Sequence, residues 1–331
     1  MNVLVLGGTA FLGGEIARAA MTTGHEVTCL ARGESGSAPD GVRFVRGDRS
    51  RPGAYAGLPR SGRWDLVVDL ARQPGQVRSA LIELADQAER WVFVSTGSVY
   101  ADHSRHGAGL ETPLLRAWEG EVATQEQYGA GKVACEAACK AYRGSDVLIA
   151  RSGLIVGRGD PSDRFGYWPG RFVLAQADGG PVLVPVVTGR QAQAIDVLDL
   201  ASWLVGAGLA GTTGIVDAYG PRRLLGDVLD VAREVAGFTG ESVPVADEAL
   251  QAVGVEEYMG PRSLPLWLHD PEWTGFNDRS TASATAAGLV ARDLHETMHD
   301  ALEWERHLGL GRTARRAGLD RDDELAVLAA T

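Results

Sequence analysis

The chain has 331 residues, a net charge of −11, 45% hydrophobic residues and three cysteines. This length allows one large or two medium domains, and the acidic balance disfavours a nucleic-acid-binding surface. Three cysteines make no disulfide framework, and no apolar run reaches the roughly 18 residues of a membrane span. The chain starts with a strand pattern instead of a signal peptide. We therefore expect a cytoplasmic globular protein that binds neither nucleic acid nor a membrane.

A glycine-rich turn follows the first apolar strand pattern, at residues 3–6, and leads into a helical pattern. A strand that ends in such a turn and opens a helix points backbone N–H groups at one spot, which suits a phosphate. The spacing is Gly7-x-x-Ala10-x-x-Gly13. Gly7 permits the tight turn, Gly13 permits close helix packing, and Ala10 stands where glycine is commoner. The turn predicts a dinucleotide site.

The position after the second strand pattern, residues 25–30, decides the predicted cofactor. An acidic residue there would bond the ribose 2′-hydroxyl of NAD, but this chain has Arg32. A guanidinium can pair with a 2′-phosphate, so the position favours NADP(H), with NAD(H) and a solvated loop arginine as alternatives. A third strand pattern, residues 42–45, is followed by Asp48, which could bond the adenine amino group or cap the next turn.

Further strand and helix patterns alternate along the first half of the chain. Strands are expected at 65–70, 91–94 and 147–150, and helices at 77–88 and 128–142. This rhythm predicts the α/β class, as a Rossmann doubly wound parallel sheet whose ligands bind beyond the carboxyl ends of the strands.

The pattern changes after the sixth strand. Short strands are expected at 182–187, 193–197 and 215–218, with a helix at 199–209 and mixed helix and loop from about residue 221. We expect residues 1–155 with about 190–219 to form the NAD(P)-binding domain. Residues 156–189 with 220–331 would then form a smaller α/β substrate lobe with the C-terminal helices.

Three side chains suggest hydride-transfer chemistry at the carboxyl edge of the sheet. Thr96 follows the fifth strand, and Tyr128 and Lys132 lie four residues apart, on one helix face. A free tyrosine has a pKa of about 10, and a nearby ammonium favours its phenolate. Tyr128 could then exchange a proton with a substrate oxygen while hydride moves to or from a nicotinamide. Thr96 would bond the same oxygen, and Lys132 would reach the nicotinamide ribose.

Taken together, these motifs resemble the extended short-chain dehydrogenase/reductases of the NAD-dependent epimerase/dehydratase family, and within it a reductase-like subgroup. The resemblance implies that Thr96, Tyr128 and Lys132 are the catalytic trio, and that a homodimer is conceivable. From the resemblance and the strand exits together, we expect the cofactor to be bound by Gly7, Thr9, Ala10, Phe11, Leu12, Gly13, Arg32, Asp48, Leu70, Ala71, Arg72, Tyr128 and Lys132.

Departures from the family pattern bear on the substrate. Leu154 replaces the asparagine, and Ala192 the arginine, that sugar-nucleotide epimerases usually carry, and Gly97-Ser98 replaces the Asp-Glu of dehydratases. We therefore predict an oxidoreductase that transfers hydride between NADP(H) and a small-molecule carbonyl or alcohol. The alternatives are an NAD-dependent sugar (nucleotide) epimerase and a catalytically inactive cofactor- or RNA-binding protein.

The candidate substrate contacts are Ser98, Tyr167, Trp168 and Arg190, although Tyr167 and Trp168 could equally be lobe core. One further motif matches a zinc site. His295-Glu296-x-x-His299 has the metalloprotease spacing, but it lies on an amphipathic helix with an apolar stripe. We expect no metal there.

Overall fold

A parallel sheet dominates the first half of the computed structural model, which describes residues 1–59 and 62–330. Its strands are apolar and largely buried, as expected where helices cover both faces of a parallel sheet. They are β1 Asn2–Leu6, β2 Glu26–Ala31, β3 Arg43–Arg46, β4 Trp64–Asp69, β5 Ala88–Thr96, β6 Leu148–Ser152 and β10 Gly214–Ala218. The order β10-β6-β5-β4-β1-β2-β3 is that of a doubly wound sheet, as predicted.

Two pairs of helices cover the sheet. On one face lie α1 (Phe11–Thr22) and α5 (Val197–Leu209), and on the other α2 (Pro74–Leu84) and α3 (Tyr128–Arg143). The helix predicted at residues 77–88 begins three residues earlier, because proline is well tolerated in the first helical turn. Cys135 and Cys139 are buried with α3 against the sheet, where burial raises the pKa of both thiols.

The remaining elements form the lobe and its connections. The short strands are β7 Leu154–Val156, β8 Val182–Pro185, β9 Gln191–Asp196, β11 Arg222–Leu224, β12 Ser242–Val245, β13 Glu256–Glu257 and β14 Ser263–Leu264. The helices are α4 Tyr167–Asp178, α6 Leu225–Ala236, α7 Asp247–Ala252, α8 Ala282–Ala286, α9 Leu294–Leu308 and α10 Arg321–Ala330. The strand predicted at 193–197 does not join the central sheet: β9 pairs in parallel with β7 and antiparallel with β11.

Separate hydrophobic clusters lie under the lobe and on the two faces of the sheet. This separation supports our division into a cofactor-binding domain and a lobe, which remains a proposal. None of the helices in the described part of the chain is long and apolar enough to cross a membrane.

A cavity of about 640 Å³ lies at the amino ends of the central strands, lined by residues that include His25, Arg43 and Trp64. Ligands of such sheets bind at the opposite, carboxyl edge. The active site is therefore expected at that opposite edge.

The first prediction concerns the packing of α1 on β1. A Cβ added at Gly13 would lie 2.2 Å from the carbonyl oxygen of Gly7, a backbone atom that cannot move aside. Gly13→Ala should therefore lower the free energy of unfolding by about 1–3 kcal/mol. The matched control is Gly206→Ala on α5, where a Cβ meets nothing within 4 Å. The control should gain about 0.5–1 kcal/mol because alanine favours helix. Urea unfolding measures both, and equal stabilities would contradict the close packing.

Candidate active site

The glycine turn is built to leave backbone N–H groups free at the start of α1. Gly7 has a φ of 106°, which favours glycine, and its N–H donates to the carbonyl of Leu30 at 2.9 Å. Ala10, the N-cap residue, is exposed and extended, and its methyl group cannot bond the first-turn N–H groups. A helix start with these properties accepts an anion. The turn therefore fits the pyrophosphate of a dinucleotide, and Ala10 does not block it.

Arg32 lies just beyond the end of β2, where the sequence predicts the 2′-phosphate. Its side chain is 54% exposed, and Nη1 lies 3.2 Å from the carboxylate of Glu34. Exposed ion pairs of this kind are weak, so the guanidinium is available to a stronger anion.

Asp48 takes the second of the two roles we considered. Its carboxylate accepts hydrogen bonds from the hydroxyl and the N–H of Ser50, at 2.6 and 3.0 Å. These bonds hold the pKa of Asp48 below its usual range. Asp48 therefore caps a turn, and a contact with adenine stays a prediction.

Thr96 and Ser98 lie directly beside the first turn of α3. The hydroxyl of Thr96 accepts the N–H of Ser98 at 3.2 Å, and both side chains are half-buried. A Cβ added at Gly129 would lie 2.1 Å from the carbonyl oxygen of Ser98. Glycine at 129 therefore lets the helix approach the strand exit, and Tyr128, next to Gly129, begins that helix.

Lys132 is buried between the exits of two strands. Its ammonium donates to the carbonyl oxygens of Ala71, at 2.8 Å, and of Val94, at 2.6 Å, and lies 4.3 Å from the centroid of the Phe93 ring. These contacts offset the cost of burying the charge. They also fix α3 to the carboxyl edge of the sheet, and an ammonium has a third N–H to offer.

The segment between β4 and α2, and the first turn of α2, contact the start of α3 and the segment before it. The guanidinium of Arg72 lies 4.8 Å from the centroid of the Tyr128 ring. Gln73 exchanges two hydrogen bonds with the backbone of Ala123, at 2.7 and 3.2 Å. The N–H of Gly75 donates to the carbonyl of Glu121 at 2.9 Å. Sequence reasoning missed Gln73, because a glutamine in a loop gives no local sign of its distant partner.

A buried ion pair between Glu136 and Arg151 connects α3 to β6. Glu136, one turn after Lys132, accepts two hydrogen bonds from Arg151, at 2.9 and 2.7 Å, and one from the hydroxyl of Ser95, at 2.6 Å. The side chains of Glu136 and Arg151 are each 2% exposed. Since Ser95 precedes Thr96, this carboxylate joins α3 to the end of β5 that carries Thr96.

Tyr100 extends this network toward β10. Its hydroxyl accepts from Arg151 at 3.0 Å and donates to Asp217 at 2.5 Å. Burial raises the pKa of Tyr100 far above its usual value and also raises the pKa of Asp217. Sequence reasoning missed this network, because Tyr100, Arg151 and Asp217 lie far apart in the chain and no local pattern links them.

Two of the predicted substrate contacts, Tyr167 and Trp168, are buried in the lobe. Tyr167 and Trp168 are 1% and 0% exposed, and they pack in the lobe core with ring centroids 5.0 Å apart. The indole N–H of Trp168 donates to the carbonyl of Pro265 at 3.0 Å. Their aromatic surface is therefore used for folding, which is the alternative we left open.

Arg190 also makes its hydrogen bonds within the lobe. Its guanidinium pairs with Asp247 and donates to the carbonyls of Leu268 and Val186. Of the four predicted substrate contacts, only Ser98 remains beside Thr96, and its role stays a prediction.

The zinc-like motif makes other contacts. The ring nitrogens of His295 lie 3.1 Å from carboxylate oxygens of Asp293 and Glu234, and these contacts raise the pKa of the imidazole. Across residues 1–59 and 62–330, no group of three or more His, Cys, Asp or Glu side chains is placed to hold a metal ion.

The family model of the NAD dependent epimerase/dehydratase family matches residues 3–83 and 76–207. The chain belongs to this family. The match covers the glycine turn, Thr96, Tyr128 and Lys132, and it confirms the predicted family. The open turn and the exposed Ala10 at the start of α1 fit the dinucleotide that the description of this family names.

One curated relative is the 2′-dehydrokanamycin reductase of Streptomyces kanamyceticus. It is 29% identical over 188 residues, which are 56% of this chain and 51% of that protein. The chain therefore matches about half the length of this relative.

Solved structures of two epimerases match nearly the whole chain. The UDP-glucuronic acid 4-epimerase of Bacillus cereus, in complex with NAD, is 14% identical, with a TM-score of 0.63 over 93% of this chain and 99% of that chain. The UDP-glucose 4-epimerase of Thermus thermophilus, also a complex with NAD, is 21% identical, with a TM-score of 0.61 over 92% and 99%. At these identities the likeness confirms the fold.

The second prediction concerns the Glu136–Arg151 pair. Glu136→Ala leaves the guanidinium of Arg151 buried without its carboxylate, so the free energy of unfolding should fall by about 3–5 kcal/mol. Glu119→Ala is the control, because Glu119 pairs with Arg116 where both side chains are more than 80% exposed. In denaturant unfolding, the free energy of unfolding of the control should be close to that of the parent protein. A similar loss in both variants would show that the network contributes nothing specific.

Proposed function

We propose that this protein transfers hydride between NADP(H) and a ketone or alcohol on a small polar molecule, with Tyr128 as the acid and base. The observation that supports this most is the placement of α3. Gly129 packs on the carbonyl of Ser98, and Lys132 is fixed by the carbonyls of Ala71 and Val94. The start of the helix, with Tyr128, is therefore held beside Thr96, where proton transfer to a substrate oxygen is needed.

The residues of this chain handle the proton and the positioning. In the reducing direction, the hydroxyl of Tyr128 would donate its proton to the substrate oxygen, and in the oxidising direction the phenolate would take it back. Thr96 would hold the same oxygen by a hydrogen bond, with Ser98 beside it. The bound nicotinamide supplies or accepts the hydride. The remaining N–H of Lys132 would bond the nicotinamide ribose.

The cofactor would lie across the carboxyl ends of β1, β2 and β4. The pyrophosphate would bind the turn at Gly7, Thr9, Ala10, Phe11, Leu12 and Gly13. Leu70, Ala71 and Arg72 leave β4 at the same edge and would border the cofactor.

NADP(H) is favoured over NAD(H) by the chemistry at the end of β2. Arg32 supplies a guanidinium whose present partner is the exposed carboxylate of Glu34. A 2′-phosphate would be a better partner, because arginine binds phosphate with paired hydrogen bonds.

The relative from Streptomyces kanamyceticus supports reduction as the direction and a ketone on an amino sugar as the kind of substrate. The hydroxyl of Ser98, 3.3 Å from that of Thr96, is a polar group beside the proposed reaction centre that suits a sugar hydroxyl. A homodimer and a cytoplasmic location stay proposals.

The third prediction tests the acid and base. Purified protein is incubated with NADPH and a panel of keto sugars and oxidised aminoglycosides, and NADPH consumption is measured. Tyr128→Phe should reduce turnover by about 100-fold or more, because it removes the exchangeable proton. Tyr142→Phe on the same helix is the control, since its ring is 49% exposed.

Two outcomes would change the proposal. Full turnover in Tyr128→Phe would exclude the assigned role. Isomerisation of a sugar without net NADPH consumption would instead indicate the epimerase.

The fourth prediction tests the cofactor preference. Arg32→Ala should weaken NADPH binding about tenfold, because it removes a charge-assisted bond, and should leave NADH binding nearly unchanged. The fluorescence of the bound nucleotide measures both dissociation constants. Arg18→Ala, which removes an exposed arginine from α1, is the control. Equal weakening of both nucleotides would rule out a role for Arg32 at the 2′-phosphate.

A further inference from the structure

Arg72 lies against the predicted catalytic phenol. Its guanidinium carbon is 4.8 Å from the centroid of the Tyr128 ring, within the distance at which a cation is attracted by an aromatic face. Nη2 of Arg72 donates to the side-chain oxygen of Gln125 at 2.9 Å, and the carbonyl of Gln125 accepts the N–H of Tyr128 at 3.2 Å. The arginine and the ring are thus tied to the same turn.

The charges around this turn come from three elements. Lys132 is one helical turn along α3, but its ammonium is turned to the carbonyls of Ala71 and Val94. The acidic side chain of the turn, Glu126, accepts a hydrogen bond from the hydroxyl of Thr124 at 2.6 Å. Arg72, from the exit of β4, is the cation that contacts the ring itself.

We propose that Arg72 is a positioning residue for Tyr128, a role that rests on the proposed function of that tyrosine. The guanidinium contacts the face of the Tyr128 ring and also bonds the side chain of Gln125, whose carbonyl accepts the N–H of Tyr128. These contacts hold the ring in place relative to the turn. The guanidinium also stabilises the negative charge that stays on the phenol oxygen when the proton passes to the substrate oxygen. Lysine would keep the charge but lose the planar guanidinium and its hydrogen-bond geometry, so Arg72→Lys should replace it only in part.

The fifth prediction measures this effect without a substrate. The ultraviolet absorbance of phenolate is titrated with pH in the parent protein and in Tyr128→Phe, and their difference isolates Tyr128. The same difference is then taken in an Arg72→Met background. The midpoint should rise by about half a pH unit without the arginine, which corresponds to a cation–π contact at an exposed site. Arg72→Lys should give a smaller rise.

Arg78→Met is the matched control. Arg78 lies on α2 and bonds Glu121 and the carbonyl of Gly120, so its loss should leave the midpoint unchanged. An unchanged midpoint in Arg72→Met, or an equal change in Arg78→Met, overturns the proposal.

Nucleotide binding separates this role from a cofactor contact. Because Arg72 also borders the proposed cofactor site, NADPH binding is measured in the same variants, and the titration is run without nucleotide so that a loss of binding cannot move the midpoint. Tenfold weaker binding with an unchanged midpoint would assign Arg72 to the cofactor and overturn the proposal. Full turnover in Tyr128→Phe would instead contradict the proposed function, whatever the titration shows.

Discussion

The two hydrogen bonds of the Lys132 ammonium are the constraint on which the site depends. They join α3 to the exits of β4 and β5 through the carbonyls of Ala71 and Val94. A buried ammonium without such partners would be costly, so the helix has little freedom to slide along the sheet. The position of Tyr128, one turn before Lys132, follows from this anchor.

Two close contacts between a helix and a neighbouring backbone carbonyl, each of which requires a glycine, also fix the positions of α3 and α1. Gly129 lets the helix touch the carbonyl of Ser98, and Gly13 lets α1 touch the carbonyl of Gly7. Glu136 on α3 accepts a hydrogen bond from Ser95 of β5. The helix is therefore bonded to β5 at a second point, besides the bond between Lys132 and Val94. Each contact is short and involves backbone or buried charge, which makes the arrangement stiff.

The network also reaches the lobe. Arg279 is fully buried, and its guanidinium carbon lies 3.6 Å from the centroid of the Tyr100 ring while Nη2 donates to the carbonyl of Gly109 at 2.8 Å. Tyr100 bonds Arg151, which in turn bonds Glu136 on α3. The lobe, the loop after β5 and the helix with Tyr128 are therefore connected by buried polar contacts, in which each removed partner leaves another unsatisfied.

The sequence by itself determined the parallel sheet, the glycine turn, and the pairing of Tyr128 with Lys132, because strand rhythm, turn glycines and helical spacing are local properties. Only the tertiary structure decided that Trp168 is core, that Arg190 pairs with Asp247, and that Arg72 lies on the phenol. Each of these depends on a partner or on packing distant in the chain. A single sequence carries no record of which long-range partner a charged or aromatic side chain will meet.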